Sequence, residues 1–184
     1  MRLKTGQSAP LFSLEDIYGR KVDLSSYKNK NKKILISFFR NVACPFCNFR
    51  IHQLTKKNEQ WKDKLEMIFF LESKKEVVLR STFHQDVSPI PIISDEKKIF
   101  YQEYGIENSA LKFFGTLLSS KNRTTFNTAK KMGLEVDSGE GLITTIPADF
   151  LLDENLIVIE AYYGKNTADH LPFEKIEEII FGKK

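Results

Sequence analysis

Long apolar runs and a strong charge of one sign are both missing from this sequence. No stretch approaches the roughly 20 apolar residues that a helix needs to cross a bilayer, and the first ten residues lack the apolar segment of a secretory signal. We therefore expect a cytoplasmic protein without a membrane span. The formal net charge is only +4, and the basic run 28–33 is interpreted as solvated surface. The sequence also has no basic stripe with interleaved aromatic residues, which argues against nucleic-acid binding.

Cysteine and histidine are scarce, with two and three residues in a chain of 184. Cys44 and Cys47 are so close in sequence that a bond between them would close almost no loop and would stabilise the fold little. Such a bond would exist for its chemistry. A CxxC pair also supplies half of a zinc site, and His52, His84 and His170 are the only histidines that could complete it. No second close-spaced ligand pair is present, which disfavours the metal hypothesis.

Strand patterns alternate with helix patterns along the chain, which predicts one α/β domain. Residues 34–39 are nearly all apolar, as in a strand buried on both faces, and the CxxC motif and an amphipathic helix follow directly. The segments 148–152 and 156–162 flank a turn and predict a hairpin, so the sheet should be mixed. Further predicted elements are a hairpin around Gly19, strands at 67–71 and 90–93, helices at 75–83 and 95–104, a helical insertion at 107–141, and a helix opened by Pro172.

The position of a CxxC motif at a strand-to-helix junction favours thiol chemistry for a physical reason. The unpaired N–H groups and the positive dipole end of the helix stabilise a thiolate on the first cysteine, which makes Cys44 the expected nucleophile. Cys47 lies one turn into the helix, where its sulfur can reach that of Cys44 while being more shielded from solvent. We expect it to be the resolving thiol. The other interpretation is that both residues are small buried hydrophobes.

The neighbours of the two cysteines carry more specific expectations. Pro45 suits the first helical turn because its missing N–H costs no hydrogen bond there. Phe46 should then be exposed at the rim. Arg40 and Arg50 are candidate cations that would lower the pKa of Cys44.

Three segments resemble the alkyl hydroperoxide reductase/thiol-specific antioxidant (AhpC/TSA) branch of the thioredoxin superfamily: APLFSLEDIYGRKVDLSSY, ILISFFRNVACPFC and TTIPADFLLDENLIVI. The resemblance implies a single thioredoxin-like domain over residues 1–184, with a mixed central sheet flanked by helices, an N-terminal hairpin and the insertion at 107–141. It also implies that Ile146–Pro147 forms a cis-proline loop against the redox cysteine. The insertion and the segment YYGKNTADHLPFEKI are similar to a CPxC-type subgroup.

The sequence departs from both relatives at the motif. Typical peroxiredoxins have Pro-x-x-x-Thr/Ser-x-x-Cys, whereas Ser37 and Asn41 occupy the proline and threonine positions before Cys44. Thioredoxins have a tryptophan before the motif and a buried acid in the preceding strand, whereas Ala43 precedes this motif and residues 34–39 contain no acid. The choice between a peroxide and a disulfide as substrate therefore stays open.

The leading hypothesis is a thiol-disulfide oxidoreductase or thiol-dependent peroxidase-like antioxidant that uses the CxxC dithiol and no cofactor. A thioredoxin- or glutaredoxin-type protein would reduce it, and the extra helical pair could support a homodimer. The alternative is a non-catalytic thioredoxin-like binding or metal-binding module, in which the apolar stripe of Leu111, Phe114 and Leu118 contacts a partner. His170 adjoins a predicted loop and could act as an acid or base near neutral pH, but a structural or surface role is favoured.

Overall fold

A five-stranded mixed sheet lies at the centre of the computed structural model, which describes residues 1–80, 89–118, 120–134 and 144–182. The strands, including a small N-terminal hairpin, are β1 (Ser13–Glu15), β2 (Lys21–Asp23), β3 (Lys33–Phe38), β4 (Leu65–Leu71), β5 (Ile92–Ser94), β6 (Ala148–Leu152) and β7 (Val158–Tyr163). The helices are α1 (Pro45–Trp61), α2 (Lys75–Arg80), α3 (Ile99–Glu103), α4 (Ala110–Leu118), α5 (Ser120–Lys131) and α6 (Phe173–Phe181). Within these described ranges, none of the helices has the length and apolar character to cross a membrane.

The sheet has the strand order β5-β4-β3-β6-β7. β3, β4 and β5 are parallel, whereas β6 and β7 pair antiparallel, so the predicted mixed sheet and terminal hairpin are confirmed. β3 is buried on both faces, with Leu35 in a core that α1 and α6 cover and Ile34, Ile36 and Phe38 in a second core beneath the N-terminal hairpin and α3. This central position explains its nearly continuous apolar run.

Several local predictions hold because they depend on nearby residues. The hairpin turns at Gly19, whose φ of 80° is a conformation that favours glycine. β5 is an edge strand, as expected for a segment that Pro91 opens. The Asp95 carboxylate accepts hydrogen bonds from three backbone N–H groups in the first turn of α3, at 2.8–3.2 Å. The predicted helix at 75–83 is observed as α2, and its last residues lie outside the described ranges.

Two helices, α4 and α5, occupy the predicted insertion, and its final residues lie outside the described part of the chain. That these helices form an insertion into the domain stays a prediction. Leu111, the first residue of the expected apolar stripe, is 85% exposed, and contact of this stripe with a partner stays a prediction. Packing against the core instead involves Phe126, whose ring centroid is 6.2 Å from that of Phe46 in α1. The Asn48 amide of α1 also donates to the Leu134 carbonyl at 2.7 Å, which fastens α5 to the start of α1.

The predicted cis peptide before Pro147 is wrong, because the described residues contain no cis peptide bond. An X–Pro bond favours trans by about 0.5–1 kcal/mol in the absence of other constraints. Here the backbone groups on both sides of the trans peptide bond also form hydrogen bonds. The Ile146 N–H donates to the Glu107 carbonyl and the Pro147 carbonyl accepts from the Gly164 N–H, each at 2.9 Å.

Candidate active site

Cys44 is the N-cap residue of α1, with extended backbone angles (φ −80°, ψ 107°). Its Sγ accepts a hydrogen bond from the Cys47 backbone N–H at 3.4 Å, and its carbonyl accepts from the Asn48 N–H at 3.0 Å. Pro45 is the first helical residue, where a missing N–H leaves no carbonyl without its partner. The Cys44 sulfur is therefore held at the positive end of a helix of 17 residues, where negative charge is stabilised.

Arg40 contacts both sulfurs from the loop that follows β3. Its Nη1 donates to Cys44 Sγ at 3.3 Å, and its backbone N–H donates to Cys47 Sγ at 3.4 Å. The guanidinium is buried and lies over the ring of Phe113 in α4, 5.0 Å from the ring centroid. Of the two arginines that the sequence offered as partners of Cys44, Arg40 is the one the fold brings to the sulfur.

The two cysteines are free thiols with opposite pKa shifts. Burial raises the pKa of Cys44, but a hydrogen bond from the Cys47 thiol and the charge of Arg40 outweigh this effect and lower the pKa to about 6. Burial and the negative charge of Cys44 raise the pKa of Cys47 well above its usual value. Near neutral pH the pair therefore consists of a Cys44 thiolate that accepts a hydrogen bond from a Cys47 thiol.

The expectation that Phe46 is exposed is wrong, since only 7% of it is accessible. The helical pair α4–α5 covers this side of the motif. Phe46 and Phe126 form part of the wall of a cavity of about 220 Å³, whose remaining lining is polar: Thr116, Asn122, Arg123 and Asn127. A space next to the CxxC motif is thus bounded by one motif residue and by residues of α4 and α5.

Ile146 and Pro147 are buried at the start of β6. Phe38 pairs with Ala148, so this register places Pro147 beside the end of β3, from which the chain leads to Cys44. Thr145, the residue before Ile146, donates a hydrogen bond to the Glu72 carboxylate at 2.8 Å. A role for Ile146 and Pro147 in supporting the thiolate stays a prediction.

Glu72 and Lys98 are site residues that the sequence interpretation missed. Glu72 directly follows β4 and is only 4% exposed, and the Lys98 ammonium forms an ion pair with its carboxylate. β3 and β4 are parallel, so residues that follow them lie at the same edge of the sheet, and the Glu72 N–H donates to the Arg40 carbonyl at 3.3 Å. The available signal was an acid immediately after a buried parallel strand.

A second buried cluster holds Arg50 away from Cys44. Asp149 in β6 accepts hydrogen bonds from His170 Nδ1 at 3.0 Å and from the Leu171 N–H at 2.7 Å. Arg50 donates to the Leu171 carbonyl, and its guanidinium lies 3.8 Å from the ring centroid of Phe173. Burial raises the pKa of Asp149, but His170 and Arg50 outweigh this effect and lower it. The hypothesis that Arg50 serves Cys44 is therefore replaced by a structural role.

No group of three or more His, Cys, Asp and Glu side chains is placed to hold a metal ion in the part of the chain that the structure describes. His170 is engaged with Asp149, and His84 lies outside that part.

The fold and the motif together define a thioredoxin-like protein with a thiol redox site. The structure resembles the thiol peroxidase from Chromobacterium violaceum, with a TM-score of 0.66 and 18% identity over 99% of this chain and 88% of that one. It also resembles the reduced 2-Cys peroxiredoxin of Plasmodium vivax (TM-score 0.64, 19% identity, 96% and 80% covered) and a putative thioredoxin from Neisseria meningitidis (0.60, 18%, 95% and 87%). At these identities the similarity shows the shared fold alone.

The sequence comparison adds the family. The profile of the AhpC/TSA family matches residues 5–161, which is most of the chain, so the protein belongs to that family. Membership places it among thiol-dependent oxidoreductases and peroxidases, as the motif predicted. A comparison with curated protein sequences found no match.

Proposed function

We propose that the protein is a thiol-dependent oxidoreductase in which Cys44 attacks the oxidant and Cys47 resolves the product. The observation that carries this proposal is the pairing of a Cys44 thiolate, beside Arg40 Nη1 at 3.3 Å, with the thiol of Cys47. A lowered pKa supplies the nucleophile at neutral pH, and a raised pKa keeps the second thiol protonated until it is needed.

With a peroxide ROOH, the Cys44 thiolate attacks the distal oxygen, the O–O bond breaks, and the RO⁻ that leaves takes up a proton as ROH. Cys44 becomes a sulfenic acid, and Cys47 attacks its sulfur, which forms the Cys44–Cys47 bond and releases water. With a disulfide RSSR, Cys44 forms a mixed disulfide and releases RS⁻, and Cys47 then displaces the second RS⁻ as its own proton is lost. Both routes transfer two electrons and end in the same intramolecular disulfide.

Two features of the site favour different oxidants. Only 3% of Cys44 is exposed, so the covered sulfur admits a small peroxide more readily than a folded protein. Ser37 and Asn41, however, stand where typical peroxiredoxins have proline and threonine. We therefore keep peroxide and disulfide as the two candidate substrates.

The remaining partners also belong to the proposal. The reaction needs no cofactor, since the electrons come from the dithiol, and an external thioredoxin- or glutaredoxin-type dithiol would reduce the Cys44–Cys47 bond. A cytoplasmic location, where such reductants keep thiols reduced, fits a pair of free cysteines that close almost no loop. A homodimer stays a prediction.

Mass spectrometry after mild oxidation tests the proposal. We expect a Cys44–Cys47 disulfide that dithiothreitol reverses, with single Cys→Ser variants at either position unable to form it. Failure to form the bond would reject the redox function in favour of a non-catalytic module. Peroxide consumption that Cys44→Ser abolishes would identify a peroxidase, whereas insulin reduction without peroxide turnover would identify a disulfide reductase.

A further inference from the structure

The thiol chemistry of Cys44 and Cys47 makes no use of the cavity beside the CxxC motif. This space of about 220 Å³ has two phenylalanine rings, Phe46 and Phe126, in its wall, and the ring centroids lie 6.2 Å apart. The rest of the wall is polar and includes the guanidinium of Arg123. An apolar wall with a few polar groups is the usual composition of a small-molecule site.

The polar side of the cavity is held in place by hydrogen bonds to the rest of the fold. Thr116 in α4 is buried, and its Oγ1 accepts from the Thr167 N–H at 3.0 Å and from the Thr167 Oγ1 at 2.9 Å. Asn122 Nδ2 donates to the Thr116 carbonyl at 3.0 Å, which joins the start of α5 to α4. Asn48 in α1 holds the other end of α5 through the Leu134 carbonyl. The cavity is therefore preformed, and a ligand would not have to order its walls.

The segment that forms most of this wall is cationic. Residues 108–134, which include α4 and α5, contain five lysine and arginine residues and no aspartate or glutamate. Glu107, the acid immediately before this range, pairs with Arg2 and Lys112. Arg123 lines the cavity and is also exposed to solvent, so an entering anion can reach it. A planar guanidinium favours a carboxylate, because its N–H groups match the two carboxylate oxygens.

The size and position of the cavity limit its ligand. A volume of about 220 Å³ is below the roughly 300–1,000 Å³ of pockets that hold drug-sized molecules, so the cavity fits a short organic group. Phe46 follows Cys44 by two residues in the first turn of α1. A group bound in the cavity therefore has to extend past the Phe46 ring to bring a reactive bond to the sulfur. Hydrogen peroxide has no organic group that would fill this space.

We propose that the cavity binds the carboxylate-bearing organic group of a small oxidant, RSSR or ROOH, and directs its S–S or O–O bond towards Cys44, with Arg123 as a specificity-determining residue. This inference rests on the proposed function and narrows its substrate class, because it requires Cys44 to attack the oxidant.

Either oxidant accepts two electrons from the dithiol. With RSSR, Cys44 forms a mixed disulfide and releases RS⁻, and Cys47 displaces the second RS⁻ as it loses its proton. With ROOH, the O–O bond breaks, and RO⁻ leaves and takes up a proton as ROH. Cys47 then attacks the Cys44 sulfenic acid and releases water. Arg123 exchanges neither protons nor electrons in these steps, since its part is to bind the carboxylate of R.

The test compares oxidants that differ in the charge of R. The reduced full chain is mixed with dithiodipropionate or bis(hydroxyethyl) disulfide, and separately with cumene hydroperoxide or its para-carboxylate. Mass spectrometry after acid quenching follows the Cys44–Cys47 bond. Each rate is divided by the rate of the same oxidant with mercaptoethanol, which removes differences in intrinsic reactivity. We expect the carboxylate-bearing member of at least one pair to react about three- to fivefold faster, as for an ion pair that water still reaches.

Substitutions in α5 test whether the cavity is the source of this preference. Arg123→Gln removes the charge that lines the cavity and should lower the ratio of the two rates about three- to fivefold. Lys131→Gln is the matched control, because it removes an exposed positive charge of the same helix that does not line the cavity, and it should keep the ratio. Asn127→Leu leaves the charge unchanged but removes an amide from the wall, and it should also lower the ratio. All three positions are exposed, so these variants should fold as the wild type does.

Binding without oxidation gives a second measurement. The unreactive carboxylate para-isopropylbenzoate should bind to Cys44→Ser, with NMR shifts at the backbone amides of Arg123 and Asn127. Its dissociation constant should rise about three- to fivefold when Arg123→Gln is added, and it should not change when Lys131→Gln is added.

The outcomes separate this inference from the proposed function. A preference within the disulfide pair alone supports the inference with a disulfide as the oxidant, and a preference within the peroxide pair alone supports it with a hydroperoxide. Equal rates within both pairs, or a preference that Arg123→Gln keeps or that Lys131→Gln also loses, would overturn this inference alone. A chain that forms no Cys44–Cys47 bond with any oxidant would overturn both.

Discussion

Two buried arginines that are ten residues apart in the sequence have different hydrogen-bond partners in this structure. Arg40 and Arg50 are both less than a tenth exposed, and each guanidinium lies over a phenylalanine ring. Arg40 donates to the sulfur of Cys44, whereas Arg50 donates to a backbone carbonyl beside Asp149. Burial of charge by itself therefore does not identify a functional site. Arg40, Phe113 and Cys44 form what we call the Arg40 cluster, and Asp149, His170, Arg50 and Phe173 form what we call the Asp149 cluster. Contact with the nucleophile distinguishes the first from the second.

The Asp149 cluster offers the largest expected effect on stability. Asp149→Asn keeps the shape of the side chain but removes the negative charge that faces Arg50 and His170. Loss of one partner from a buried charge pair costs about 3 kcal/mol, and we expect urea unfolding to show a loss of this size. The rate of Cys44 alkylation in the folded protein should not change. Asp169→Asn, at a neighbouring half-buried aspartate, is the control and should cost less.

The same cluster has a predicted pH dependence. The pKa of Asp149 is lower in the folded protein than in the unfolded chain, so its stabilisation is complete above the unfolded value of about 3.9 and is lost as the pH falls through the lower folded value. The wild type should therefore lose stability in acid more steeply than Asp149→Asn. Parallel acid-unfolding curves for the two proteins would contradict this assignment.

Arg40→Met should change the chemistry of Cys44. It removes the charge and the hydrogen bond that Arg40 gives to the Cys44 sulfur, so the pKa of Cys44 should rise from about 6 by about one unit or more. The pH profile of iodoacetamide alkylation in the reduced protein measures this shift. Arg50→Met is the matched control, because it removes an equally buried arginine that does not contact either sulfur. An equal shift in both variants would remove the distinction between the two clusters.

The thiolate of Cys44 should also stabilise the folded protein. Its folded pKa of about 6 lies below the value of about 8.5 for an unfolded cysteine, so its contribution is complete above pH about 8.5 and is lost as the pH falls through about 6. The difference in free energy of unfolding between the wild type and Cys44→Ser should decrease across this window. A difference that is constant with pH would indicate that Cys44 is not a stabilised thiolate.

Local features of the fold could be predicted from the sequence, whereas the choice between the two arginines could not. The buried strand, Pro45 in the first turn and the Cys44 position at the helix start depend on neighbours in the chain. Arg40 and Arg50 both adjoin the motif. Their different partners depend on where Phe113 and Leu171 lie in the fold, and each of these residues is more than 70 positions from its arginine in the sequence.

The buried acid that faces β3 was missed for a related reason. The strand before the cysteines contains no acid, but antiparallel pairing places Asp149 opposite Ser37. The register that brings them together is set by the whole sheet. Burial of Phe46 likewise depends on α5, which packs over it from a segment that a local pattern cannot position.

The two aromatic rings beneath the arginines give the comparison with the smallest expected effect. Phe113→Leu keeps an apolar cover over Arg40 but removes the ring face, an interaction of about 0.5–1 kcal/mol. A less firmly held guanidinium should raise the pKa of Cys44 slightly and lower its alkylation rate below pH 7 by roughly twofold, which lies at the lower end of the change of about two- to fivefold that this energy allows. Phe173→Leu removes the corresponding ring beneath Arg50 and should leave that rate unchanged. Each variant removes one ring from one buried arginine. A twofold decrease in the alkylation rate that is confined to Phe113→Leu would indicate that the ring acts on Cys44 by positioning Arg40. An equal decrease in both variants would instead indicate a general loosening of the fold.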